Sequence, residues 1–93
     1  MICNQLKGKI IEKVEGLERG SEMVTFYCSD NSVFKWFPDN KGETIDVIIG
    51  DANILLNHYI TYISKVNIPI PGNNNPTCYV FSTYRGWLWV SWT

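Results

Sequence analysis

The stretch Thr77-Cys78-Tyr79-Val80-Phe81-Ser82-Thr83-Tyr84-Arg85-Gly86-Trp87-Leu88-Trp89-Val90-Ser91-Trp92 decides how this chain is read. Two runs rich in aromatic and β-branched residues flank Arg85-Gly86, a composition that suits pleated, half-buried strands on either side of a tight turn. The sequence therefore predicts a β-hairpin. Gly86 supplies the positive φ of such a turn, and Arg85 is an unusual companion for it, so the loop is either Arg85-Gly86 or a longer connection from Tyr84 to Trp87. Either loop gives one register. Thr83 then faces Leu88, Phe81 faces Val90 and Tyr79 faces Trp92 on one side, with Tyr84–Trp87, Ser82–Trp89 and Val80–Ser91 on the other.

The first of these faces is almost wholly apolar and reads as core. The second sets Trp87, Trp89 and Tyr84 among serines, with the cationic Arg85 at its end. Two readings stand. A covering helix buries the indoles as packing, or the face is a platform on which indoles stack on nucleobases, at about 1–3 kcal/mol per base, while the guanidinium meets phosphate.

Upstream, Gly8 to Glu15 is β-branched with interleaved charges, as in an outer strand with one wet face. Glu22 to Ser29 alternates, Asp30-Asn31-Ser32 carries turn chemistry, and Val33 to Phe37 returns before Pro38. With Asp30-Asn31 as the loop, Phe26 faces Lys35 and Val24 faces Phe37, while Thr25 faces Trp36 and Tyr27 faces Phe34. Pro38 to Glu43 is a polar loop, read either as solvated surface or as the rim of a site beside Trp36. In Thr44 to Asn57, Ile45, Ile48, Ile49, Ala52, Leu55 and Leu56 recur at helical spacing, interrupted by Gly50. That predicts a broken helix with Asp51 capping its second piece. His58 to Val66 alternates again, with Ile60, Tyr62 and Val66 on one face, and Asn67 to Pro76 is a long Pro/Asn loop. The fold expected is a single α+β domain over residues 1–93, with an antiparallel sheet of five to six strands and one short, broken helix between the third and fourth strands.

At 93 residues the apolar area available to one core is limited, so a homo-oligomer is expected. The N-terminus does not resemble a signal peptide and no apolar run approaches the ~20 residues of a membrane span, which points to a soluble, cytoplasmic protein away from membranes. Three cysteines, Cys3, Cys28 and Cys78, lack metal-ligand spacing and read as reduced packing thiols, with no metal or cofactor implied. A net charge of −1 lacks the basic excess that long nucleic acids require, so a nucleic-acid ligand is a small nucleotide. No nucleophile with its base, paired carboxylates or phosphate-cradling glycine loop appears at a usable spacing. His58 is the sole histidine and sits where a helix end favours a structural cation, and Asp46 and Asp51 do not share a face. The expectation is that the protein is not an enzyme.

Three blocks together resemble a family of small, mostly uncharacterised phage-encoded proteins. They are Phe34-Lys35-Trp36-Phe37, then Ile45-Asp46-Val47-Ile48-Ile49-Gly50-Asp51 with Leu55-Leu56, then Thr77 through Trp92. The chain departs from that pattern at Pro38-Asp39-Asn40-Lys41, where relatives carry a histidine and paired cysteines, and relatives continue beyond the last strand. The resemblance implies opposition to host defence, with members that sequester the cyclic nucleotide signals of bacterial immunity. Joined to the residue reading, it implies a small-nucleotide site across an oligomer interface. In that site Trp87 and Trp89 stack on bases, Arg85 and Lys35 meet phosphates, and Tyr84 frames the pocket, with Trp36 nearby. The alternative is an inhibitor that docks its aromatic face on a host defence enzyme such as a nuclease effector, since Trp, Tyr and Arg are also the favoured anchors of protein interfaces.

Overall fold

The structure, a computed structural model, describes residues 2–67 and 77–92. It has the antiparallel α+β architecture expected from the sequence, with its strands divided between two sheets. The smaller sheet has the order β1-β2-β3, from β1 (Ile11–Glu15), β2 (Val24–Cys28) and β3 (Val33–Trp36). The larger has the order β4-β7-β6-β5, from β4 (Ile45–Ile49), β5 (Ile60–Asn67), β6 (Thr77–Thr83) and β7 (Gly86–Trp92). Helix is confined to α1 (Ile2–Leu6) and a 3₁₀ turn at Ala52–Leu55. The long Pro/Asn loop expected after β5 lies, past Asn67, outside the described residues.

The helix expected over 44–57 is realised only in its second half. Asp51 does cap it, its Oδ1 accepting the Asn53 N–H at 2.9 Å. The first half is β4, because Ile45, Val47, Ile48 and Ile49 are β-branched and lose side-chain freedom in a helix, whereas a pleated strand beside β7 suits them and buries Ile45. Gly50 then turns the chain out of the strand at φ 108°, so close to β7 that a Cβ there would lie 2.8 Å from the Trp87 carbonyl oxygen.

Both hairpin registers differ from those expected. In β2–β3 the loop takes one residue more than Asp30-Asn31. The Cys28 N–H donates to the Ser32 carbonyl at 2.9 Å, and Asn31 adopts φ 69°. Asp30 accepts from the Ser32 N–H at 3.0 Å, from the Ser32 hydroxyl and from the Lys9 ammonium. The extra residue moves the pairing by one, to Val24–Trp36 and Phe26–Phe34, and so exchanges the faces of Lys35 and Trp36. In β6–β7 the corner is Tyr84-Arg85, both at negative φ, with Gly86 at 143° behind them. The pairs become Phe81–Leu88, Tyr79–Val90 and Val80–Trp89, a shift of two residues that leaves every side chain on its expected face.

The inner faces of the two sheets close over one core. Val24, Phe26, Cys28 and Trp36 come from the small sheet, and Ile45, Ile60, Ile63, Tyr79, Phe81, Leu88, Val90 and Trp92 from the large one. Leu6 of α1 and Leu55 of the 3₁₀ turn are also fully buried in it. Trp36 is the hub. Its ring packs edge-on against Tyr79, Phe81 and Trp92 at centroid distances of 5.0, 5.3 and 5.0 Å, a favoured aromatic geometry.

Candidate functional site

Alternation along the large sheet turns a second set of side chains away from the core. β7 presents Trp87, Trp89 and Ser91; β6 presents Ser82, Val80 and Cys78; β5 presents Tyr62, Ser64 and Val66; and β4 presents Ile49. The rows run Trp87–Ser82–Tyr62 and Ile49–Trp89–Val80–Ser64 across the strands. The end of this face near the β6–β7 corner is open. Trp87 is 69% exposed, Ile49 59% and Tyr62 56%, with Trp89 half-buried between them and Tyr84 projecting at the corner, 92% exposed. The other end, at Cys78, Val80 and Ser91, is buried, and burial raises the pKa of the Cys78 thiol.

The corner itself is held in place. The Thr83 hydroxyl donates to the Ile54 carbonyl at 2.9 Å and accepts the Arg85 N–H at 3.1 Å, which ties the hairpin tip to the 3₁₀ turn. Arg85 is exposed and makes no ion pair among the described residues, so its guanidinium is available beside Tyr84 and Trp87.

Of the six residues expected to form a site, the structure brings together Tyr84, Arg85, Trp87 and Trp89 and separates Lys35 and Trp36 from them. Trp36 is 4% exposed and packs on the opposite, inner face of the large sheet, so it stacks on no external ligand. Lys35 projects from the outer face of the small sheet, across the core from the indoles. The physical reason is the longer β2–β3 loop. Tyr62 and Ile49 are the residues that sequence reading did not place at this face. The alternation expected for β5 put Tyr62 on the face of Ile60, but the bulge between Ile60 and Tyr62 separates them, turning Ile60 inward with Ile63 and Tyr62 outward, and Ile49 becomes visible only once residues 45–49 are read as a strand.

Two clefts lie elsewhere. One of about 340 Å³ opens between β1 and the 3₁₀ turn, with Val14, Leu17, Ala52 and Leu56 as its apolar lining and Glu12 and Glu18 among its polar residues. Another of about 410 Å³ lies at the Pro38–Glu43 loop beside Phe37, and Trp36 does not line it. That loop is anchored by Asp39, whose Oδ2 accepts the Tyr79 hydroxyl at 2.8 Å and lies 3.2 Å from Lys65 Nζ. The tyrosine hydrogen bond, with the lysine beside it, holds the Asp39 carboxyl below the usual carboxylate range.

No helix among the described residues is long and apolar enough to cross a membrane. Comparison with known proteins finds no match: no family model fits the chain, and no curated sequence or solved structure is significantly similar to it.

Proposed function

We propose that this protein is a non-catalytic binding module that acts by occupancy in the cytoplasm, docking the open aromatic end of its large sheet on a protein partner. One observation carries the reading: Ile49, Tyr62, Tyr84 and Trp87 expose most of their area on and around one uncharged sheet face. At roughly 150–250 Å² per ring, the exposed parts of the three aromatic residues alone supply about 300–500 Å². That matches the largest apolar patch of a typical monomer and a good share of the ~800 Å² each partner contributes to a specific interface. Neither cleft described above includes its rings. Exposed Trp and Tyr side chains grouped in this way are the favoured anchors of protein interfaces. A host defence enzyme is the partner we propose, the alternative that the sequence reading set beside a cyclic nucleotide signal.

A second reading rests on Arg85, whose guanidinium, without an ion pair among the described residues, lies beside Tyr84 and Trp87 and suits a small nucleotide stacked on the rings with its phosphate at the corner. A photo-crosslinking residue placed at Trp87, with another at Glu12 as a distant control, tests both. The docking reading expects one protein to be captured from position 87 and not from position 12, with capture lost in Tyr62→Ala and Ile49→Ala backgrounds. If nothing is captured and cyclic dinucleotides raise the melting temperature of the wild type but not of Arg85→Ala, the nucleotide reading replaces it.

A further inference from the structure

β5 is an edge of the large sheet and, at eight residues, its longest strand. Among the described residues, its open side is bonded only at the start. There the Ile60 N–H donates to the Lys9 carbonyl at 3.0 Å, and the Ile60 carbonyl accepts the Gly8 N–H at 2.9 Å. Because these groups of Ile60 turn outward, Ile60 and Thr83 form a non-hydrogen-bonded pair. Antiparallel alternation then turns the backbone of Tyr62, Ser64 and Val66 towards β6 and that of Ile63 and Lys65 outward. Among the described residues, nothing bonds the outward N–H and C=O groups of Ile63 or Lys65.

Such an edge is a template for another strand, and proteins blunt it with proline, charge, brevity or a bulge. β5 contains no proline. Its bulge sits at the start, between Ile60 and Tyr62, and leaves the rest of the strand regular. Its one charge, Lys65, points to the inner side, where Asp39 neutralises it at 3.2 Å.

We propose that β5 pairs antiparallel with β5 of a second copy about a twofold axis at Ser64, joining two large sheets into one continuous sheet. In this register Ile63 of each copy exchanges backbone hydrogen bonds with Lys65 of the other, Tyr62 lies beside Val66, and the two Ser64 residues meet at the axis. The neighbouring registers are worse. One centred on Lys65 opposes two ammonium groups, and one centred on Ile63 runs the pairing into the bulge and the Ile60–Lys9 bond. The Ser64 register opposes no like charges and uses the outward groups of both central residues. It also lays the two outer aromatic faces side by side without covering either, so it does not depend on the docking reading.

Sedimentation of the full chain tests this directly. The wild type is expected at twice the 10.7 kDa chain mass. Lys65→Ala, which keeps the backbone N–H, should remain dimeric, whereas Lys65→Pro removes an outward donor from each copy and should raise the dimer dissociation constant about tenfold or more. Trp87→Ala should leave the mass unchanged. Ser64→Cys guards against a Lys65→Pro variant that fails to fold. A non-hydrogen-bonded pair at the axis sets its two Cα atoms about 4.5 Å apart, within disulfide range. Mild oxidation should therefore yield a covalent dimer that the wild type, treated identically, does not form. A wild type that sediments as a monomer at every concentration overturns the proposal, as does a dimer in which Ser64→Cys fails to cross-link.

Discussion

Replacing Trp36 with alanine should be the most damaging of the aromatic truncations, and Trp87 among the least, although the two indoles sit in similar sequence surroundings. Trp36 is 4% exposed and touches Phe26, Tyr79, Phe81 and Trp92. Removing it from a core of that density costs about 3–5 kcal/mol, against a total stability on the order of 5–14 kcal/mol for a domain of this size. With 69% of Trp87 exposed, roughly 45–80 Å² of its ring stays in contact with the protein. That area is worth about 1–2 kcal/mol at most. Lys35→Ala supplies the internal control, because an outward lysine should change stability by no more than about 0.5 kcal/mol. Urea unfolding followed by far-ultraviolet circular dichroism reads all three without depending on the fluorophores being removed. A melting scan should place Trp36→Ala at least about 12 °C below the wild type. Equal losses for Trp36 and Trp87, or a larger loss for Lys35 than for Trp36, would mean that β3 pairs with β2 one residue out of the register described here.

Gly50→Ala should cost about 1–3 kcal/mol in the same unfolding assay, because the new Cβ meets the Trp87 carbonyl at 2.8 Å and the backbone sits at φ 108°. At Asn31, φ 69°, alanine should cost about 1 kcal/mol and glycine should be neutral or better, which thermal melts of the two variants would separate. Tyr79→Phe removes the hydroxyl that Asp39 accepts and should cost about 1 kcal/mol at neutral pH. The folded-state pKa of Asp39 is depressed, so its contribution is present above the unfolded value near 4 and is lost as pH falls through the folded one. The gap between wild type and Tyr79→Phe should accordingly narrow as the unfolding series is taken below about pH 4, and a gap independent of pH would remove Asp39 from the account.

How far the outer aromatic face is legible in the sequence depends on the parity of each register. The β6–β7 pairing moved by two residues from expectation, and since side chains alternate with period two, Trp87 and Trp89 stayed outside and Leu88, Val90 and Trp92 stayed inside. The β2–β3 pairing moved by one, which reversed Lys35 and Trp36. Asp30-Asn31-Ser32 announces a turn in both cases. Whether Ser29 joins the loop is decided by tertiary contacts, among them the Ser29 N–H donating to the Ile10 carbonyl at 2.9 Å and Lys9 reaching Asp30. Those contacts come from Lys9 and Ile10, just ahead of β1 and some twenty residues away, and local turn chemistry does not contain them.

The helical spacing of Ile45 and Ile48 has a different origin, and it recurs. β4 carries an irregularity between Ile45 and Val47, and by spending one extra residue there the strand brings Ile45 and Ile48 to the same inner face, opposite Trp92 and Val90. β1 does the same at Glu12, so that Ile11 and Val14 face Cys28 and Phe26 together, and β5 does so at Thr61, aligning Ile60 with Ile63 opposite Thr83 and Phe81. In each strand an apolar pair three residues apart, the mark of a helix face, is the mark of a bulge. The β-branched isoleucines should have outweighed the spacing in β4, since isoleucine loses rotamer freedom in a helix and packs well on a pleated surface. Each bulge also bends its strand and increases its twist. In β4 the bend lies next to the point where Gly20 and Ser21 extend the sheet edge, bonding the Ile45 carbonyl and N–H at 2.8 and 2.9 Å. In β5 it lies where Lys9 and Gly8 cover Ile60. The bulged ends of both edge strands are thus the ends already covered by other segments of the chain. The regular part of β5 begins where that cover stops, which leaves its outward backbone groups at Ile63 and Lys65 open among the described residues.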